Sequence, residues 1–259
     1  MAGPNGNRPP AIVAEKLSKR YTLGELQSLR QTADRLMRRR SAHDQPSLQA
    51  LSEVDFVVQA GDAFGVVGTN GSGKSTLLQI LAGTTLPTGG QMEVRGHVLP
   101  LLAVGTGFHA ELTGRENVTL FASTLGIPRA VIRERMDAVA EFAELERHMD
   151  TPVKRFSSGM LSRLSFSIAM QFPADIYIFD EVLAVVDGEF QARCIDAIHG
   201  LHREGRTVIF VSHSLDQVAH VCTHVLWLEK GRVKQDGAAT EVLEAYDREH
   251  GAHLAEAAS

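Results

Sequence analysis

The sequence has little cysteine, no long hydrophobic run and no excess of positive charge, and each shortage excludes a class of protein. Only Cys194 and Cys222 occur, which argues against a disulfide framework, and the first ten residues do not resemble a secretion signal, so we expect the chain in the cytosol. No apolar stretch approaches the roughly 20 residues of a membrane-spanning helix, so any membrane role must come through a partner. The formal net charge of −5 argues against nucleic acid as a partner.

The composition is otherwise that of a globular protein, with 44% hydrophobic residues, and short apolar runs alternate with helical patterns. The runs "AFGVVG", "DIYIFDE", "TVIFVSH" and "HVLWLEKGRV" have the length of strands. Strands that alternate with helices predict an α/β fold with a mostly parallel sheet covered by helices. Two earlier runs, "AIVAEKL" and "LSEVDFVVQAG", predict an antiparallel β part on the N-terminal side.

One domain is predicted over residues 11–247, between a disordered lead at residues 1–10 and a tail at residues 248–259. Within the domain, residues from about 110 to 172 break the alternation with two or three consecutive helices, and we expect a helical subdomain there. The sequence "TGRE" has the form of a capping box, so one helix should start at Thr113, with Glu116 as its partner.

A second departure from the alternation lies at residues 22–47. Apolar side chains recur there at helical spacing among arginines, which predicts an inserted basic amphipathic helix. The apolar positions are Leu23, Leu26, Leu29, Ala33, Leu36 and Met37, and the basic ones are Arg30, Arg35, Arg38, Arg39 and Arg40. Two interpretations stay open: the apolar stripe packs on the core with the arginines in solvent, or the segment lies near a membrane surface beside a partner.

The stretch "GTNGSGKST" matches the phosphate-binding loop G-x-x-x-x-G-K-[ST] without a departure, after an apolar strand and before the helix "KSTLLQILAG". Backbone amides of such a loop wrap phosphates, Lys74 reaches the terminal phosphates and Ser75 can ligate Mg²⁺. The flanking strand and helix argue against the alternative, a glycine-rich turn without a ligand. The predicted nucleotide-binding residues here are Gly68, Thr69, Asn70, Gly71, Ser72, Gly73, Lys74, Ser75 and Thr76.

The run "IYIFDE" predicts a buried strand that ends in two acids. Asp180 is placed to hold the Mg²⁺ shell, and Glu181 is a candidate catalytic base that polarises an attacking water. Paired acids after a strand can equally cap a helix. The phosphate-binding loop favours the catalytic interpretation, in which Lys74 is a second catalytic residue.

The phosphate-binding loop, "FSSGM", "DE" and "SH" follow one another in an order that resembles the ATP-binding cassette (ABC) ATPases. The plan of that family fits nearly the whole chain, from Ile12 to Tyr246. The resemblance implies a P-loop NTPase core, ATP and Mg²⁺ as cofactors, and hydrolysis of ATP. It also implies a head-to-tail dimer with a second copy of the chain, because in that family the signature helix of one subunit caps the γ-phosphate held by the other.

The pentapeptide "FSSGM" stands where the family has its signature, usually LSGGQ. A helix that starts on these small polar residues leaves its first amides uncovered and presents the positive end of its dipole to an anion. By the resemblance, Ser157, Ser158 and Gly159 act in trans, on the γ-phosphate bound to the opposite subunit. The alternative is a serine that only caps the helix.

Three further positions carry over from the family. Tyr21 in "SKRYTL" stands where an aromatic ring stacks on adenine, and a partly buried tyrosine that only packs is the alternative. His213 in "FVSHS" stands where a histidine contacts the γ-phosphate, which makes it a third catalytic candidate. Asp187 in "AVVD" matches the loop that crosses the dimer interface.

The loop between the core and the helical subdomain departs from the family. It normally contains a glutamine that senses Mg²⁺ and couples to the permease, yet no glutamine occurs between Gln91 and Gln171. The loop "VGTGFHAELTGREN", "SSGM", "DEVLAVVD" and the basic insertion instead resemble the ATPases of polysaccharide exporters. This implies export of a polyprenyl-linked O antigen, galactan or teichoic acid through an integral membrane permease, with the chain peripheral on the cytoplasmic face of the membrane.

Some of these exporters carry an extra C-terminal domain that recognises the end of the glycan. Because the chain ends soon after "EVLEAYDREHG", we expect a finished, uncapped polymer as cargo. The alternatives are a transporter of another substrate, including an importer, or a soluble ABC ATPase of DNA repair or translation. The soluble class would show a long coiled-coil insertion or two cassettes in one chain, and a P-loop kinase or GTPase would leave "FSSGM" without a role.

Overall fold

The computed structural model describes residues 9–22, 47–101, 107–181 and 188–251. The strands of these residues are β1 (Ile12–Thr22), β2 (Ser47–Val58), β3 (Ala63–Val67), β4 (Gly89–Val94), β5 (Val98–Leu101), β6 (Ile176–Asp180), β7 (Thr207–Val211), β8 (His224–Glu229) and β9 (Arg232–Ala238). The α-helices are α1 (Lys74–Leu81), α2 (Gly114–Thr124), α3 (Arg129–Ala143), α4 (Ser158–Gln171), α5 (Gly188–Arg203), α6 (Leu215–Val221) and α7 (Ala239–His250). A single 3₁₀ turn, Val153–Arg155, precedes α4.

The larger sheet has the strand order β5–β6–β7–β3–β8–β9. Its strands pair in parallel, except that β9 runs antiparallel to β8. Side chains alternate between the two faces, as the twofold period of a strand requires. In β6, Ile176 and Ile178 enter one hydrophobic cluster, whereas Tyr177 and Phe179 enter the other, which is built mainly with the helices. The central part of the sheet is therefore buried on both faces, which explains why β3, β6, β7 and β8 are nearly continuous apolar runs.

The smaller sheet is antiparallel and has the order β2–β1–β4. Together with α1 it covers the face of the larger sheet opposite the other helices. This confirms the predicted antiparallel part on the N-terminal side. Thr22 pairs with Ser47 at the end of the β1–β2 ladder, and these two residues bound the predicted insertion at residues 22–47. Its remaining residues, 23–46, lie outside the described part of the chain.

Three α-helices, α2 to α4, lie within the region where a helical subdomain was predicted. Thr113 caps α2 as expected, because its hydroxyl accepts a hydrogen bond from the Glu116 amide while the Glu116 side chain bonds back to the Thr113 amide. The capping box is confirmed, and it fixes the start of the first helix of this region.

The C-terminal helix α7 packs its aromatic residues against β8. Trp227 and Tyr246 meet edge to face with ring centroids 5.1 Å apart, and His250 lies 5.6 Å from Trp227. Helix α7 extends to His250, three residues into the predicted tail at residues 248–259. Among the helices described, none is both long and apolar enough to cross a bilayer.

Candidate active site

The phosphate-binding loop connects β3 to α1 and passes very close to the rest of the backbone. Gly73, the residue before α1, has a φ of 107°, and a Cβ atom there would lie 2.6 Å from the Ala50 carbonyl oxygen. Only glycine fits this left-handed, crowded position. The turn between β8 and β9 braces the loop from outside, since the Gly231 amide donates to the Ser72 carbonyl.

The Lys74 side chain folds back onto its own loop. Its ammonium group donates to the carbonyl oxygens of Gly68, at 2.6 Å, and Thr69, at 3.3 Å. Burial lowers the pKa of Lys74, and the nearby carboxylates of Glu181 and Asp180 oppose this shift. The amine therefore sits among hydrogen-bond acceptors and negative charge, close to where the phosphates of a nucleotide would lie.

Three predicted site residues meet at the carboxyl edge of the parallel strands. Asp180 is the last residue of β6, Glu181 follows it, and His213 lies two residues beyond β7, the neighbouring strand. The His213 Nε2 atom is 2.8 Å from Oε1 of Glu181. Glu181 has a φ of 53°, unusual for a residue with a side chain, and its amide donates to the Val211 carbonyl at 3.0 Å. This backbone places the two side chains in contact at the sheet edge that faces Lys74.

Asp180 is electrostatically strained in the folded chain. Burial raises the pKa of Asp180 from its usual 3.8 to about 6, and the Glu181 carboxylate acts in the same direction, whereas Lys74 and His213 lower it. Because the folded pKa exceeds the unfolded one, the stability that neutral Asp180 contributes is fully present below about pH 3.8 and is lost as the pH rises through about 6. A bound cation would relieve the charge that burial opposes.

We expect Asp180→Asn to stabilise the nucleotide-free protein at pH 8. The gain should be about 1–2 kcal/mol after allowing for solvent screening, which corresponds to a melting temperature higher by roughly 2–6 °C. Thermal unfolding without Mg²⁺ measures it, and the difference between the two proteins should shrink as the pH falls below about 6. The control is Asp196→Asn on the exposed face of α5. An unchanged or lower melting temperature at pH 8 would contradict the strain at Asp180.

The residues of this edge fit a magnesium–nucleotide complex. Among the described residues, the buried hydroxyl of Ser72 has no hydrogen-bond partner, although it lies inside the phosphate-binding loop. Ser75, on the first turn of α1, is exposed, and Asp180 is a hard oxygen ligand. These groups can therefore hold ATP and Mg²⁺, with Ser75 and Asp180 on the metal.

Tyr21 is half-buried at the end of β1 and is tied to the helix of the phosphate-binding loop. Its hydroxyl donates to Oε1 of Gln79 on α1 at 3.3 Å, and the Lys19 ammonium lies 5.0 Å from the centre of its ring. Lys19 is itself held by the Leu86 carbonyl at 2.7 Å. Sequence reasoning missed both Gln79 and Lys19, because no local pattern pairs either residue with the Tyr21 ring. One face of the Tyr21 ring thus lies against the Lys19 ammonium group. Stacking of the Tyr21 ring on adenine stays a prediction.

The signature residues start helix α4, but its first amides are less open than predicted. Ser157 is the N-cap, and its hydroxyl accepts a hydrogen bond from the Met160 amide at 3.1 Å, so the serine cap weighed as an alternative is present. Ser157 and Ser158 are exposed, and Gly159 is partly exposed. The amides of Ser158 and Gly159 are the ones that point beyond the helix end. Asp187, the predicted interface residue, lies outside the described residues.

Known proteins resemble this chain in sequence. The family described as ABC transporter matches residues 51–184. The O-antigen export system ATP-binding protein RfbB of Klebsiella pneumoniae is 44% identical over 197 residues, which cover 76% of this chain and 80% of that protein. RfbB of Myxococcus xanthus is 36% identical over 235 residues, 54% of its length. The teichoic acids export ATP-binding protein TagH of Bacillus anthracis is 41% identical over 198 residues, and the match spans 36% of that longer protein.

Solved structures resemble the fold. An ATP-binding cassette solved as a dimer in a post-hydrolysis state with ADP and Pi has a TM-score of 0.72 at 20% identity, covering 88% of this chain and 98% of that one. An ATP-binding subunit of an ABC transporter has a TM-score of 0.70 at 22% identity, with 95% of both chains covered. These matches confirm the predicted fold class, a P-loop NTPase core with a mostly parallel sheet, an antiparallel β part and a helical region.

Proposed function

The chain belongs to the ABC transporter family, and on that premise we propose that it is the ATP-hydrolysing subunit of a transporter that exports a lipid-linked polysaccharide. The observation that supports ATP hydrolysis is the contact between Glu181 and His213. Asp180 lies at the same edge of the sheet, and Lys74 is close enough to interact with both carboxylates. A carboxylate beside a histidine, next to a phosphate-binding loop, is an arrangement suited to activating water.

Each side chain has a distinct part in the reaction ATP + H₂O → ADP + phosphate. The loop amides and Lys74, released from the carbonyls of Gly68 and Thr69, bind the β- and γ-phosphates. Glu181 orients the water and accepts its proton as the water oxygen attacks the γ-phosphorus, and the bond from that phosphorus to the bridging oxygen breaks to release ADP. His213, with its proton on Nε2, donates to Glu181 and holds the carboxylate in place. Ser75 and Asp180 would hold Mg²⁺, which would neutralise negative charge on the phosphates.

The active form is proposed to be a head-to-tail dimer. Ser158 and Gly159 offer amides at the start of α4, and Ser157 holds that helix end in shape. These groups lie on one subunit and meet the γ-phosphate bound by the loop of the other. Asp187 belongs to the same interface in this proposal, and Tyr21 stacks on the adenine of its own subunit.

The proposed cargo is an O antigen, galactan or teichoic acid on a polyprenyl carrier. Support comes from the relatives named for O-antigen and teichoic acid export, which match three-quarters or more of the chain. The chain would act at the cytoplasmic face of the membrane, bound to an integral membrane permease. Arginines of residues 30–40 are proposed to meet the pyrophosphate of the carrier through paired hydrogen bonds, which lysine does not reproduce.

The export role is tested in the assembled transporter by replacing four arginines with glutamine, namely Arg35, Arg38, Arg39 and Arg40. We expect basal ATPase to stay near the wild-type rate while glycan export falls at least about tenfold, because the paired phosphate contacts are lost. The fourfold lysine variant should export nearly as poorly. A matched control removes four exposed arginines elsewhere: Arg147, Arg203, Arg232 and Arg248. Unchanged export in the first variant would contradict a substrate-facing role.

A further inference from the structure

A charged cluster outside the hydrolytic site joins three helices. Glu144, which follows α3, accepts a hydrogen bond from Arg163 of α4 through one carboxylate oxygen. Its other oxygen lies 2.7 Å from the Arg193 guanidinium of α5. We call these three residues the Glu144 clamp. Glu144 follows α3, Arg163 lies on the signature helix α4, and Arg193 lies on α5.

The backbone at Glu144 is unfavourable for a residue with a side chain. It caps α3 in the left-handed region, with φ 57° and ψ 40°. Glycine is the residue that suits this position, because it has no Cβ to crowd the neighbouring carbonyl. The side chain of this glutamate contacts the two arginines.

The Glu144 carboxylate pairs with both arginines, one through each oxygen. Both guanidinium groups lie against the ring of Phe190, with Arg163 at 4.9 Å and Arg193 at 5.1 Å from its centre. Two cations that share one ring repel each other, and Glu144 offsets this repulsion. Without its charge, we expect α4 and α5 to separate or to rotate at this point.

A row of packed aromatic rings connects the Glu144 clamp to the strand that ends in Asp180. Phe190 meets Phe166 of α4 at 6.3 Å, and Phe166 stacks on Phe179 at 5.5 Å. Phe179 directly precedes Asp180 in β6. Packed rings of this kind transmit a displacement because the interior is close-packed. The position of α4 is thus mechanically connected to the strand that carries Asp180 and ends at Glu181.

We propose that Glu144 is a positioning residue that holds the signature helix α4 against α5, so that the signature of one subunit meets the partner subunit in the correct orientation. This inference rests on the proposed function, in which the start of α4 faces the second copy. It assigns Glu144 to closure of the dimer and leaves binding of ATP to the single subunit unaffected.

The test compares Glu144→Gln and Glu144→Gly with the matched control Glu146→Gln, an exposed acid two residues further on. Glutamine keeps the shape and removes the charge, whereas glycine also relieves the left-handed backbone, so the two variants change stability differently. Both should lower kcat for ATP at least fivefold and leave the ATP dissociation constant of the single subunit within twofold. In a Glu181→Gln background, both should raise the ATP concentration needed for dimerisation at least fivefold.

The clamp is further tested by combining Glu144→Gln with Arg193→Gln. Residues that act as one unit are not additive, so the double variant should lose little more kcat than either single one. A kcat within twofold of wild type for Glu144→Gln would overturn the proposal, as would a loss that disappears on cooling well below the melting temperature. Absence of hydrolysis and of ATP-driven dimerisation in the wild-type chain is a different result, since it would overturn the proposed function and this inference with it.

Discussion

Replacing Glu181 with glutamine is expected to slow ATP hydrolysis at least about a hundredfold, which is the usual worth of a positioned general base. The amide keeps the size of the carboxylate but cannot accept a proton from water. Binding of ATP should be retained, because the loop amides and Lys74 hold the phosphates. ATP should then keep the dimer closed. Phosphate release under saturating Mg²⁺ and size-exclusion chromatography with ATP measure the two effects.

The matched control for this substitution is Glu204→Gln, an exposed acid beyond the end of α5. It removes the same charge away from the strand edge and should turn over ATP at the wild-type rate. If Glu181→Gln hydrolysed ATP within about threefold of wild type, Glu181 would not be the base. His213 would then have to be considered for that role, since it is the group in contact with Glu181.

The grouping of Asp180, Glu181 and His213 at one sheet edge could be predicted from the sequence because each residue belongs to a contiguous pattern. The loop before α1 needs glycine where the backbone turns and crowds, as Gly73 does against Ala50. Asp180 ends the otherwise apolar strand β6, Glu181 follows it, and parallel strands bring their carboxyl ends to one edge. Local rules of turn, strand and helix therefore determined both the order of these groups and their meeting in space.

The contacts that orient the site could not be predicted, because they join residues distant in the chain. Tyr21 and Gln79 are 58 positions apart. No periodicity or motif pairs Glu144 with Arg163 and Arg193. The raised pKa of Asp180 likewise depends on burial at the end of β6 more than on its neighbours in sequence. Such properties arise only when packing brings groups together and removes water from them.

The signature helix shows how two local rules compete. Its dipole predicts an anion site, whereas serine at the first position predicts a cap, and in the structure the Ser157 hydroxyl bonds the Met160 amide. The two are compatible, since the cap covers one amide and those of Ser158 and Gly159 still point outward. An arginine in place of Ser157 removes the cap and fills the space before the helix. We therefore expect it to block any phosphate that approaches this helix end.

A mixed dimer tests whether the phosphate at this helix end is part of a nucleotide bound by the other subunit. One subunit carries Lys74→Ala, its partner carries Ser157→Arg, and both carry Glu181→Gln so that bound ATP is retained. In a head-to-tail dimer the two lesions fall on one composite site and leave the second intact, so one nucleotide should be occluded per dimer. If each signature served its own subunit, both sites would be damaged and occlusion would be lost. Labelled ATP that survives rapid gel filtration gives the count.

A second mixed dimer controls for the possibility that either substitution only weakens a nucleotide site. Here one subunit carries both Lys74→Ala and Ser157→Arg, and its partner has neither. Head-to-tail pairing now places one lesion on each composite site, so occlusion should fall to zero, whereas a signature acting within its own subunit would leave one nucleotide bound. Loss of the Ser157 cap costs only about 1 kcal/mol, so all subunits should stay folded, and their melting temperatures check this. The two mixed dimers contain the same substitutions, and only their distribution between subunits differs. Opposite counts from identical composition would therefore establish that the signature acts across the dimer.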